Sequence, residues 1–169
     1  HFLTATSNVS ELLGIEEDEV LMCSTGVIGV PIPINYLVKN LPQLVSELKV
    51  NSFQNAAEAI LTTDLTCKKI VIETIVEGRK IRIAGLAKGS GMIYPNMATM
   101  LAFLTCDVGV EKEKWDKMIS SAVKKSFNAI SVDGETSTND SFIGINAGKK
   151  INKEFLPIIQ SGIDIVCQN

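Results

Sequence analysis

Two β-branched runs, residues 68–76 and 80–84, are separated only by Glu77-Gly78-Arg79. Such runs suit the pleated, half-buried surface of a strand, and a short Gly-containing link between them is a hairpin signal. The second run leads directly into Gly85-Leu86-Ala87-Lys88 and then Gly89-Ser90-Gly91, so a Gly-rich loop leaves the sheet at that end. An almost wholly apolar run, 99–105, reads as the next strand and a central one.

The flanking segments read mostly as helices. Residues 5–13 have the spacing of a helix end, with Leu12 and Leu13 inward and Gly14 as the stop. Residues 20–24 (VLMCS) read as a short buried strand delivering Thr25-Gly26 into a turn. Residues 34–48 carry apolar positions at Leu37, Leu41, Leu44, Val45 and Leu48, with Pro42 expected to break or restart the helix. Asn51 or Ser52 can cap a second helix over 53–61, rich in alanine. The clearest amphipathic helix spans 111–127, where Trp115, Met118, Ile119, Ala122, Val123 and Phe127 form one stripe. A short strand at 130–132, a dense polar loop at 133–140, a strand at 141–147 and a weak helix at 153–160 complete the chain.

Composition narrows the class. The 169 residues suffice for one domain with a sizeable core, and 46 % hydrophobic against 21 % charged is a globular balance. A net charge of −3 argues against nucleic acid or an anionic membrane as the main partner. No apolar run is long enough to span a bilayer. No signal-peptide pattern opens the chain, and a start at His1 reads as a piece of a longer protein. Cys23, Cys67, Cys106 and Cys167 form no Cys-x-x-Cys pair, so reduced thiols and a cytoplasmic setting are expected.

The chemistry centres on Ala98-Thr99, a small residue before a hydroxyl nucleophile. A threonine hydroxyl needs a base, and the only histidine is His1. An internal lysine sits near pKa ~10.4, whereas a free α-amino group sits near ~8 and suits proton transfer at neutral pH. Cutting the Ala98–Thr99 bond would put that amine on the same residue as the hydroxyl. The plain alternative is that Thr99 is an ordinary strand residue. The Thr25-Gly26 turn can aim backbone N–H groups as an oxyanion hole, or can simply lead into the proline-rich connection. Lys88-Gly89-Ser90-Gly91 is neither a Walker loop nor GxGxxG; it can cradle an anion weakly, and Lys88 can pair with a substrate carboxylate. Thr62-Thr63-Asp64 is open to a turn role or a ligand role. The acidic spacing at Asp133, Glu135 and Asp140 is not that of an EF-hand, so no metal is expected.

Three segments taken together, Ser24-Thr25-Gly26-Val27-Ile28-Gly29, residues 88–101, and residues 132–140, resemble the ornithine acetyltransferase family of arginine biosynthesis. They occur in the family's order and span almost the whole chain. The resemblance implies an α/β fold of mixed β-sheets packed together with helices outside, an α-β-β-α layering of the N-terminal-nucleophile type. It implies autoproteolysis between Ala98 and Thr99. Residues 1–98 would end an α chain and 99–169 begin a β chain, together one domain, assembling as an α2β2 heterotetramer. Thr99 would take the acetyl group from N2-acetylornithine and pass it to glutamate by a ping-pong route. Thr25 and Gly26 match the oxyanion pair, and Thr62, Lys88 and Thr99 match substrate-binding positions. No cofactor is implied, although some members use acetyl-CoA as a second acetyl donor. Two departures stand out: Glu135 replaces the aspartate of many members, and the substrate-binding residues of the C-terminal part have no counterpart. An N-terminal-nucleophile aminopeptidase or amidase, and a non-catalytic amino-acid-binding domain, are the alternatives.

Overall fold

Positive φ at both Glu77 (52°) and Gly78 (71°) closes the hairpin as a two-residue turn whose twist matches the strands it joins. The computed structural model describes residues 2–93, 100–135, 137 and 139–169. In it β1 (Lys68–Val76) pairs antiparallel with β2 (Arg79–Lys88), with Val76 opposite Arg79, so Arg79 belongs to the strand rather than the turn. β3 (Leu101–Cys106) pairs antiparallel with β2, and β4 (Ser141–Asn146) pairs parallel with β3. The sheet order is β1-β2-β3-β4, which makes the apolar β3 central, as its composition predicts. This mixed sheet with its helices is an α/β arrangement. Among the described residues there is one sheet.

The chain divides into two compact units, His1–Ala56 and Ala57–Asn169, where the sequence reads as one domain. The Ala98–Thr99 bond falls inside the second unit's range, and both residues lie outside the described ones.

In the first unit α1 (Phe2–Leu13) packs against α2 (Ile34–Ser46). Gly14, at φ 67°, ends α1 as expected, and Ile15 N–H reaches back to the Ser10 carbonyl at 3.1 Å. The inward positions differ from those expected. Small side chains at Ala5, Thr6 and Ser10 are buried, while Leu12 and Leu13 in the last turn are 39 % and 41 % exposed. Small residues allow close helix approach over the first turns, whereas the last turn is only partly covered. Pro42 does not break α2. A proline forfeits one i→i−4 bond, which the apolar face centred on buried Leu41 outweighs. Residues 20–24 form no strand. All four strands belong to the second unit, so in its own unit this segment has no ladder to satisfy its backbone.

A short helix, α3 (Phe53–Ala59), straddles the divide and ends before the expected Leu61. In the second unit α4 (Lys112–Lys125) follows the predicted stripe, with Trp115, Met118, Ala122 and Val123 buried. Trp115 is core, as its spacing predicts, and its Nε1–H donates to the Gly144 carbonyl at 3.0 Å. The weak helix expected at 153–160 is instead a 3-10 turn, Lys153–Phe155, followed by α5 (Leu156–Gln168). Gly162 continues that helix because a side chain there would strike Ile83 Cδ1 at 2.6 Å. Ile159, Ile163 and Val166 of α5 join Ile81, Ile83, Leu104 and Cys106 of the sheet in one core. Each such aliphatic side chain contributes about 1.5–3 kcal/mol on burial. The strand expected at 130–132 reduces to a single bridge between Ile93 and Val132.

Candidate functional site

β2 ends at Lys88 and β3 begins at Leu101, and the two are direct register partners. The connection between them is therefore anchored at both ends on adjacent strands. Lys88 is only 1 % exposed, the largest fully buried side chain described. Its ammonium lies 3.5 Å from the Thr62 hydroxyl, so two of the sequence-expected binding residues do come together.

The charges of two carboxylates, Asp64 and Asp140, act on Lys88. Asp64 has no exposed side-chain surface. Its Oδ1 accepts the Gly89 N–H at 2.9 Å and the Lys68 ammonium. Asp140 Oδ1 accepts the Met100 N–H at 2.5 Å. The Oδ2 atom of each is buried and accepts no hydrogen bond. Their sequence signals were weak: Asp64 sits in a turn-like Thr-Thr-Asp, and Asp140 closes a polar loop.

The electrostatics follow from this packing. Burial pushes the Lys88 ammonium below the ordinary lysine range, and the negative charges of Asp64 and Asp140 partly restore it. Burial raises the Asp64 carboxyl, but the Lys68 hydrogen bond, the Gly89 N–H and the Lys68 charge outweigh it and leave the group below its usual value. Asp140 ends above its usual value: burial dominates over the Met100 N–H, the nearby Ser137 hydroxyl and the Lys88 charge.

The Gly-rich loop is not a free anion cradle. The Gly89 N–H is taken by Asp64 and the Met92 N–H by Asp133 Oδ2 at 3.0 Å, while the Ser90 hydroxyl pairs with that of Thr63 at 2.7 Å. Thr25 and Gly26 belong to the first unit, both exposed, just before a turn in which Val30 N–H meets the Val27 carbonyl at 3.0 Å. Ala98 and Thr99 lie outside the described residues, and Met100, the next residue, opens β3's approach.

All four cysteines are free thiols. Burial pushes Cys106 and Cys167 up to about 11, the behaviour of packed rather than reactive thiols. Among the described residues no group of acidic, histidine or cysteine side chains could hold a metal, and no helix is long and apolar enough to cross a membrane. An open cavity of about 370 Å³ lies elsewhere in the second unit, between Phe127, Phe142, Leu104 and the end of α5.

The ArgJ family model matches residues 2–169. The arginine biosynthesis bifunctional protein ArgJ of Prochlorococcus marinus subsp. pastoris is 79 % identical over 169 residues, covering all of this chain and 42 % of the relative. The protein of the same name from Prochlorococcus marinus strain SARG is 54 % identical over 164 residues, covering 97 % of this chain and 40 % of the relative. The chain thus spans about two-fifths of the length of these curated relatives. A crystal structure of the arginine biosynthesis bifunctional protein argJ from Bacillus halodurans matches with a TM-score of 0.50 and 38 % identity, covering 57 % of this chain and 50 % of that one. The family model matches essentially every residue and the relatives are 54–79 % identical over nearly the whole of it: the chain belongs to the ArgJ family.

Proposed function

We propose that the whole protein is an autoproteolytic acetyltransferase that moves an acetyl group from N2-acetylornithine to glutamate through an acetyl-Thr99 ester. The observation that carries this reading is buried Lys88, at the end of β2 where the connection containing Ala98-Thr99 begins, with its ammonium 3.5 Å from the Thr62 hydroxyl. A buried ammonium next to a hydroxyl is a receptor for the α-carboxylate of an amino-acid substrate.

In processing, the Thr99 hydroxyl attacks the Ala98 carbonyl, the peptide C–N bond breaks, and water hydrolyses the resulting ester. Ala98 is left as a carboxylate and Thr99 with a free α-amine. In turnover that amine takes the hydroxyl proton as Thr99 Oγ attacks the acetyl carbonyl, and returns it to the departing ornithine nitrogen. Glutamate's amine then attacks the ester and leaves as N-acetylglutamate. Thr25 and Gly26 supply the oxyanion donors, each typically worth about 3 kcal/mol of transition-state stabilisation. Residues 1–98 end the α chain and 99–169 begin the β chain of an α2β2 assembly in the cytoplasm. The word "bifunctional" in the relatives' names supports acetyl-CoA as a second donor.

The test is Thr99→Ala in the full-length protein. Intact mass should show one unbroken chain, and acetyl transfer should vanish. A Thr99→Ala protein with normal transferase activity overturns the reading, and acetylornithine consumption that ignores glutamate turns it into a hydrolase.

A further inference from the structure

The Met100 amide is clamped on both sides by one dipeptide. Its N–H goes to Asp140 Oδ1 at 2.5 Å, and its carbonyl accepts the Ser141 N–H at 2.9 Å. The parallel ladder between β3 and β4 starts at the next pair, Leu101 with Ser141. In a regular parallel ladder a backbone carbonyl of the neighbouring strand would accept that N–H. Here a carboxylate takes its place, a stronger charge-assisted acceptor. The substitution has a cost, because Asp140 Oδ2 is buried with no hydrogen bond.

We propose that Asp140 is a positioning residue for the nucleophile at position 99. The Met100 nitrogen is bonded to the carbonyl carbon of Thr99, so the carboxylate holds the amide through which residue 99 is joined to the residue before β3. Asp140 thus acts through the backbone on the reacting hydroxyl. The inference rests on the reading of Thr99 as nucleophile.

Three full-length variants test it. Asp140→Leu removes the acceptor, Asp140→Asn keeps an oxygen in place, and Asp140→Glu moves the carboxylate by one methylene. Asp140→Leu should slow self-cutting and lower kcat by about 100-fold, a loss well above the rise in KM that follows from removing a negative charge acting on Lys88, the signature of a misplaced reacting group. Asp140→Glu should show the same split, and Asp140→Asn should recover most of the lost kcat. Unchanged kcat in folded Asp140→Leu overturns the proposal. So does an Asp140→Asn protein as impaired as Asp140→Leu, or a loss confined to KM. Should Asp140→Leu fail to fold, the contrast between Asp140→Glu and Asp140→Asn decides alone: equal kcat in the two overturns it. Thr99→Ala is assayed alongside. An uncut, inactive Thr99→Ala beside a wild-type-like Asp140→Leu removes only the role of Asp140, whereas an active Thr99→Ala removes the parent reading.

Discussion

Lys88, 1 % exposed, keeps its ammonium 3.5 Å from the Thr62 hydroxyl, and the negative charges of Asp64 and Asp140 act on it. A cation held there is desolvated by its surroundings and retained by two negative charges. The ion is thus poised between its charged and neutral forms more closely than a surface lysine would be. A ligand carboxylate would add a third negative charge and favour the protonated form.

Lys88 is expected to make binding of a carboxylate substrate sensitive to alkali. Its folded pKa is depressed, so kcat/KM for acetylornithine should begin to fall at a pH below the ordinary lysine value of about 10.4. Lys88→Arg, which stays charged, should remove that limb from the profile. The sign is the same as for a paired carboxylate, whose folded pKa is also depressed; only the pH window differs. Between the lowered folded pKa and about 10.4 the unfolded chain binds more protons, so folding stability attributable to Lys88 rises with pH across that window. Chemical denaturation of wild type and Lys88→Met across it should converge or diverge accordingly; parallel curves would contradict the burial argument.

Asp64 should mark the acid side. Its folded pKa is depressed, so its contribution is fully present above the unfolded value of about 3.9 and is lost as pH falls through the folded one. Asp64→Asn should flatten the stability curve in that acid window. It should also loosen the Gly89 end of the connection, because the amide replaces a charged acceptor of the Gly89 N–H. Urea unfolding as a function of pH checks the first point and amide exchange at Gly89 the second. Identical acid limbs for variant and wild type would rule the assignment out.

Two glycines should separate backbone strain from steric conflict. Gly134 has φ 71° with nothing within 4 Å of an added Cβ, so Gly134→Ala should cost only the left-handed penalty of about 1 kcal/mol. Gly148 has φ 111°, and a Cβ there would lie 2.5 Å from the backbone oxygen of Asp107. Gly148→Ala adds a clash with atoms that cannot rotate away, and should cost on the order of 2–4 kcal/mol. Denaturant midpoints for the two variants give the comparison, and equal losses would refute it.

The legible parts of this chain are those whose signal is carried within a few residues. The hairpin around Glu77-Gly78, the central strand, and the α4 stripe from Trp115 to Val123 follow from periods of 2 and 3.6 and from turn chemistry. The resemblance carried by the three motifs likewise led to the family that the whole-chain match establishes. The apolar run at 20–24 misled for a complementary reason: hydrophobicity reports a wish for burial, not the presence of a ladder partner, and the sheet lies in the other unit.

By itself, then, the order of residues determined the hairpin, the α4 helix, the central place of the run that follows Thr99, and the family. Tertiary structure alone decided that Asp64 caps Gly89 from 25 residues away and that Asp140 grips Met100 from 40. It also decided that Lys88 is buried and feels both of their charges rather than reaching into solvent. Periodicity is written locally, whereas the partner of a carboxylate is chosen by strand register and by which loops the sheet brings to one edge, and no short window of sequence contains that choice.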